Sequence, residues 1–190
     1  MNYTLLESQS REPEFRENKL AQRRTSIVGM LARLAEEHPH IYNLIDPYQV
    51  KLCLERQPQD LLVGAQEFLD NSDGGRGDLY RQAQQNTLAR AAGACTLLRY
   101  FLNDKSQPTK VLDLLGGDGL LTRIGRTTGL ISQNFDLIAS DICVGMVKAA
   151  LEMGLPAICQ PADDLLLRDS CVDGVLIAYG THHLNQAILM

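Results

Sequence analysis

After Pro108 the chain alternates short apolar runs with helical patterns, and this limits its possible folds more than any other feature. KVLDLL at 110–115, FDLIASD at 135–141, PAICQ at 156–160 and VDGVLIAYG at 172–180 read as strands. Between them, a stretch from about Leu120 and CVGMVKAALEMG at 143–154 read as helices. Strands separated by helices at this spacing pair in parallel, because each helix returns the chain to the end from which the next strand starts. The expected fold is α/β: a doubly wound sheet of about four parallel strands over residues 106–190, preceded by an all-helical region over 1–105.

The N-terminal region carries a different texture. Residues 12–37 place Phe15, Leu20, Ile27, Leu31 and Leu34 at helical spacings, with Pro13 predicting a slightly late start. HPH at 38–40 breaks the pattern, and Asp46-Pro47 reads as an N-cap and first-turn proline opening a second helix. A third short helix is expected over 57–71, and SDGGRGD at 72–78 is the clearest loop. A long helix rich in Ala, Leu, Gln and Arg follows over 78–104. Charge divides at the same place. The first 105 residues carry 13 basic and 14 acidic side chains and the remainder 5 and 9, which agrees with two structural regions. Residues 1–105 are expected to form a helical cap or dimerisation region.

A net charge of −5 disfavours nucleic acid as a main partner, since phosphate binding needs a basic surface. No run approaches the roughly 20 apolar residues that span a membrane. The opening MNYTLLESQSREPEF lacks the apolar core of a signal peptide. Five cysteines, an odd number without a C-x-x-C pair, read as free thiols in a reducing, cytoplasmic setting.

The chemistry concentrates in VLDLLGGDGLLTRI at 111–124, a strand, a glycine turn and a helix start. Open α/β sheets bind ligands at the carboxyl ends of their strands, where glycines let the backbone turn tightly. Two cofactor classes compete for such a loop. A dinucleotide fingerprint G-x-G-x-x-G is met at Gly117 and Gly119 but has Thr122 third, and Asp141 follows Gly119 by 22 residues. S-adenosylmethionine has no phosphate and carries an ammonium and a sulfonium. Asp113 in the strand and Asp118 in the turn suit those cations and would repel a pyrophosphate.

VLDLLGGDGLLTRI resembles motif I of the class I S-adenosylmethionine-dependent methyltransferases, V-L-D-x-G-x-G-x-G. LIASDICVGMVKAALEMG at 137–154 resembles that family's second-strand motif. CQPADDLLLRDSCVDGVLIAYGTHHL at 159–184 resembles its fourth-strand region in small-molecule C- and O-methyltransferases. The likeness covers roughly residues 108–186 and implies a Rossmann-like fold. It also implies roles for single residues. Gly116, Gly117 and Gly119 would form the turn under the methionine and ribose, and Asp113 would brace it and reach the ammonium. Asp141 would accept from the ribose hydroxyls and Ile142 would pack on adenine. Asp163, beside Ala162, would accept from the adenine amino group, and Tyr179 would face the methyl end. The chain departs from the pattern at Leu115, where the first glycine is usual, and at Pro161, where an Asp is common. A complete domain of the family has seven strands, so this chain is expected to lack the C-terminal ones.

The remaining candidates carry less. His182 and His183 are candidate general bases, because an imidazole titrates near neutrality, while adjacent residues seldom chelate one metal together. Asp163-Asp164 could pair for acid–base work or divide between adenine and a turn. The arginines Arg23, Arg24, Arg81, Arg90 and Arg99 read as a solvated surface or as contacts for an anionic, carrier-bound substrate. The expected activity is methyl transfer to a carbon or oxygen of a small acceptor, with no metal. The alternatives are a non-catalytic cofactor-binding or scaffold module that completes its sheet with another chain, or acts as a homodimer, and a nicotinamide (NAD) dependent oxidoreductase.

Overall fold

The computed structural model describes residues 3–55, 88–102, 110–132 and 134–178. Among the described residues four helices come first: α1 (Tyr3–Glu37), α2 (Pro39–Tyr42), α3 (Pro47–Glu55) and α4 (Leu88–Leu102). Then β1 (Lys110–Leu114), α5 (Leu120–Thr127), β2 (Asp136–Asp141), α6 (Val144–Glu152), β3 (Ala157–Cys159) and β4 (Gly174–Leu176) complete the order. The sheet order is β3-β2-β1-β4 and every pairing is parallel. This is a Rossmann-like α/β fold with an N-terminal helical region. The chain runs outward from β1 to β3 and then returns to the other side of β1, so the order reverses beside the glycine turn.

β1, β2 and β3 are buried on both faces, as a parallel sheet between helices requires, whereas β4 leaves Val175 exposed. Alternate residues of β1 enter different cores. Val111 joins Leu137, Leu176, Leu121 of α5 and Ala94 and Leu98 of α4. Leu112 and Leu114 join Ile138, Ile158, α6 (Val147, Ala150, Leu151) and α1 (Ile27, Met30, Leu31, Leu34). The side-chain period of a strand is two, so neighbouring residues necessarily feed opposite faces. The α1 stripe is thus a wall of the main core, and α1 packs on α6 and β3.

Local signals explain the element ends. Asp46 caps α3, its Oδ1 accepting from the Tyr48 N–H at 2.8 Å, with Pro47 at the first helical position. The Leu44–Asp46 segment then pairs with the chain after β3. Asp46 N–H donates to the Leu166 carbonyl at 2.8 Å and Arg168 N–H to the Leu44 carbonyl at 2.9 Å. α6 stops with Gly154 N–H on the Leu151 carbonyl and Leu155 N–H on the Ala150 carbonyl, a Schellman closure that turns Leu155 back into the core.

Two expectations shift. α1 begins at Tyr3 and runs through Pro13, although an interior proline forfeits one i→i−4 bond and crowds the preceding turn. β4 covers only Gly174–Leu176 of the longer apolar run. The helix expected at 57–71 and the loop at 72–78 lie outside the described residues. No described helix is long and apolar enough to cross a membrane. None of the five cysteines forms a disulfide among the described residues.

Candidate functional site

The carboxyl ends of β1 and β2 bring together most of the residues singled out above. β1 is central, and Asp113 stands in register with Ala139 on one side and Leu176 on the other. Its side chain is 1% exposed, and neither carboxylate oxygen has a hydrogen-bond partner among the described residues. An ionised carboxylate without partners is costly to bury. Burial, with the Asp141 carboxylate as the second cause, accordingly pushes the Asp113 carboxyl up to about 8.

The turn after β1 is built around that carboxyl. A Cβ on Gly116 would stand 2.7 Å from the Cγ, Oδ2 and main-chain oxygen of Asp113, so only glycine lets the turn lie on it. Gly119, with φ 75°, caps α5, and a Cβ there would meet Leu155 Cδ1 at 2.9 Å. Leu115, with φ 63°, takes the left-handed conformation that a glycine adopts without strain. Its side chain packs against the main core, which gives this position a reason to keep a leucine.

The turn's hydrogen bonds point inward. Gly116 N–H donates to the Ser140 carbonyl at 2.9 Å and Gly119 N–H to the Gly116 carbonyl at 3.1 Å. Gly117 N–H donates to Asp141 Oδ2 at 3.1 Å, and the other oxygen, Oδ1, accepts from Cys143 N–H at 2.9 Å. All three glycine N–H groups are therefore engaged within the protein, whereas a phosphate cradle directs such groups at its ligand. Asp118 is 5% exposed, and Arg123 Nη2 donates to its Oδ2 at 3.3 Å. Three acidic side chains, Asp113, Asp118 and Asp141, surround the turn, and Asp113 can ionise when a cation arrives, an arrangement that favours a cation over a pyrophosphate.

Thr122 occupies the place of the third dinucleotide glycine. It is fully buried, and its hydroxyl donates to the Leu137 carbonyl at 3.1 Å, so α5 is tied to β2 by a side chain.

Asp141 and Ile142 close β2 directly beside this turn. Gln160 N–H donates to the Asp141 carbonyl at 3.0 Å, which sets the chain after β3 alongside them. Ala162 is half-buried in the turn that follows, and Asp163 is exposed. Asp163 lines a cavity of about 360 Å³ with Leu112, Leu167, Arg168, Cys171 and Val175, and none of the glycine-turn residues lines it. Tyr179, His182 and His183 lie outside the described residues, as does Arg81.

Several positioning groups had no signal in the sequence. Buried Gln160 spans two segments: its Nε2 donates to Ser140 Oγ at 2.9 Å, and its Oε1 accepts from the Leu166 N–H at 2.7 Å. Arg23 of α1 donates from Nη2 to the Ile142 carbonyl at 2.6 Å, 119 residues away in the chain. Spacing along a sequence does not encode contacts of this range. Arg23 was legible only as part of a basic face.

No protein-family model, curated protein or solved structure matches this chain.

Proposed function

We propose that the chain binds S-adenosylmethionine at the ends of β1 and β2 and transfers its methyl group to a carbon or oxygen nucleophile of a small acceptor, free or carrier-bound. One observation carries the reading. The turn spends its glycine N–H groups internally and lies on a buried carboxyl that has no hydrogen-bond partner among the described residues, an environment suited to an ammonium and a sulfonium rather than to phosphate.

When bound, the cofactor supplies an electrophilic methyl group on a positively charged sulfur, with a neutral thioether as leaving group. Asp113 supplies the anionic end of the site and gives up its proton to receive a cation. Asp141, whose two oxygens face the turn through the Gly117 and Cys143 N–H groups, is the carboxylate for the ribose hydroxyls, since a carboxylate oxygen accepts from more than one donor. Ile142 and Ala162 offer apolar surface for a purine face. Alignment of acceptor and methyl group in a site closed to water provides the main acceleration, and a base from the protein or solvent takes the acceptor's proton. His182 and His183 are proposed for that proton transfer.

Calorimetric titration with S-adenosylmethionine, S-adenosylhomocysteine and NAD tests the reading. Saturable binding of the two adenosyl ligands and none of NAD is expected, and the reverse ends it. Cofactor binding without methyl transfer to any of a broad acceptor panel would favour the non-catalytic module.

A further inference from the structure

α1 places Arg23 one turn before Ile27, on the stripe that continues through Met30, Leu31 and Leu34 into the main core. The packed stripe therefore fixes where the Arg23 side chain lies, half-buried against the end of β2. Its Nη2 meets the Ile142 carbonyl at 2.6 Å, and the Cys159 thiol approaches the same oxygen at 3.6 Å. That carbonyl belongs to the peptide whose N–H, on Cys143, donates to Asp141 Oδ1 at 2.9 Å. A peptide unit is planar and trans, so holding its oxygen in one direction aims its N–H in the opposite one. The other oxygen of Asp141 accepts from Gly117 N–H. The bonds form a chain from Arg23, through one rigid peptide and the Asp141 carboxylate, to the glycine turn. Links in such a chain polarise one another, and here the first donor is charged.

We infer that Arg23 is a positioning residue for the nucleoside half of the ligand, acting through the Ile142–Cys143 peptide on Asp141. The inference rests on the adenosyl reading of the site. The N-terminal helix, which the sequence suggested as a cap, thereby sets the residue that would hold the ribose. Releasing the carbonyl frees the peptide to rotate, and ligand binding must then order it again.

The test is a double-mutant cycle read by calorimetric affinity for S-adenosylmethionine and for adenosine. Arg23→Ala is expected to weaken both ligands by the same factor, roughly tenfold, the scale of one charge-assisted hydrogen bond. Arg23→Lys, which keeps a cationic donor, recovers part of the loss, and Arg33→Ala on the exposed Glu37 pair changes nothing. In an Asp141→Asn background Arg23→Ala should cost little more, because the group it acts through is already altered. If Arg23→Ala does not fold, Arg23→Gln takes its place in the cycle. Unchanged affinity in the single variant, or fully additive losses in the double variant, overturns the relay and leaves the adenosyl reading standing. A wild-type protein that binds neither ligand overturns both.

Discussion

Asp113 makes the ligand-free protein's stability depend on pH in an unusual direction. Its carboxyl is pushed from an ordinary 3.8 up to about 8 by burial, so it stays protonated in the folded chain while the unfolded chain ionises. A group whose folded value is raised contributes fully below the unfolded value and loses that contribution as pH climbs to the folded one. The window therefore runs from about pH 4 to about pH 8, and a shift of about four pH units corresponds to roughly 5 kcal/mol across it. Other groups titrate over the same range, so the useful quantity is the difference between wild type and Asp113→Asn. The amide keeps the shape of the side chain and cannot ionise, and the cost of burying its donors does not depend on pH. The variant should gain on wild type by about 1.4 kcal/mol per pH unit, or roughly 3 kcal/mol between pH 5 and pH 7. Urea unfolding followed by circular dichroism at several pH values measures this. A difference that stays flat over that interval would mean that folded Asp113 is already ionised, and the account of a partnerless buried carboxyl would fail.

The turn and the helix behind it give further outcomes to measure. Gly116→Ala should destabilise by about 1–3 kcal/mol and impair ligand binding, because the new Cβ meets Asp113 at 2.7 Å. Gly117→Ala, where the nearest atom is Met146 Sδ at 4.0 Å, should cost only the left-handed strain of about 1–2 kcal/mol; melting curves and a titration of both variants decide. Leu115→Gly exchanges strain relief against lost packing and should fall within about 1 kcal/mol of wild type. Leu115→Val keeps the strain, adds a β-branch at φ 63° and should be clearly worse, so equal melting temperatures would count against a left-handed Leu115. Thr122→Val should cost about 1 kcal/mol by removing the hydroxyl from the Leu137 carbonyl, measured by urea unfolding.

The α/β half of the fold was legible because its signals are local. A buried parallel strand is a short apolar run, a helix is a periodic one, and a glycine turn joins them, so β1, α5, β2, α6 and β3 lie where those patterns stand. Asp46-Pro47 was legible for the same reason, since a cap acts across two or three residues. Within the site, sequence pattern identified the turn, Asp113 and Asp141, and the cofactor expectation drawn from them remains a proposal.

Tertiary structure decided what depends on distance through space. Residue types alone do not show that Asp113 lacks a hydrogen-bond partner among the described residues, because that depends on its neighbours in three dimensions. Nor do they show that Asp141 accepts from Gly117, that Gln160 joins Ser140 to Leu166, or that Arg23 reaches Ile142. The Leu115 anomaly also resolved only in space, as a strained backbone whose side chain is held by core packing. Periodicity and turn chemistry report what a residue does with its neighbours in the chain, and so they yield elements and their order. Charge, burial and hydrogen bonding at a site arise from segments far apart in sequence, and only the folded arrangement brings those together.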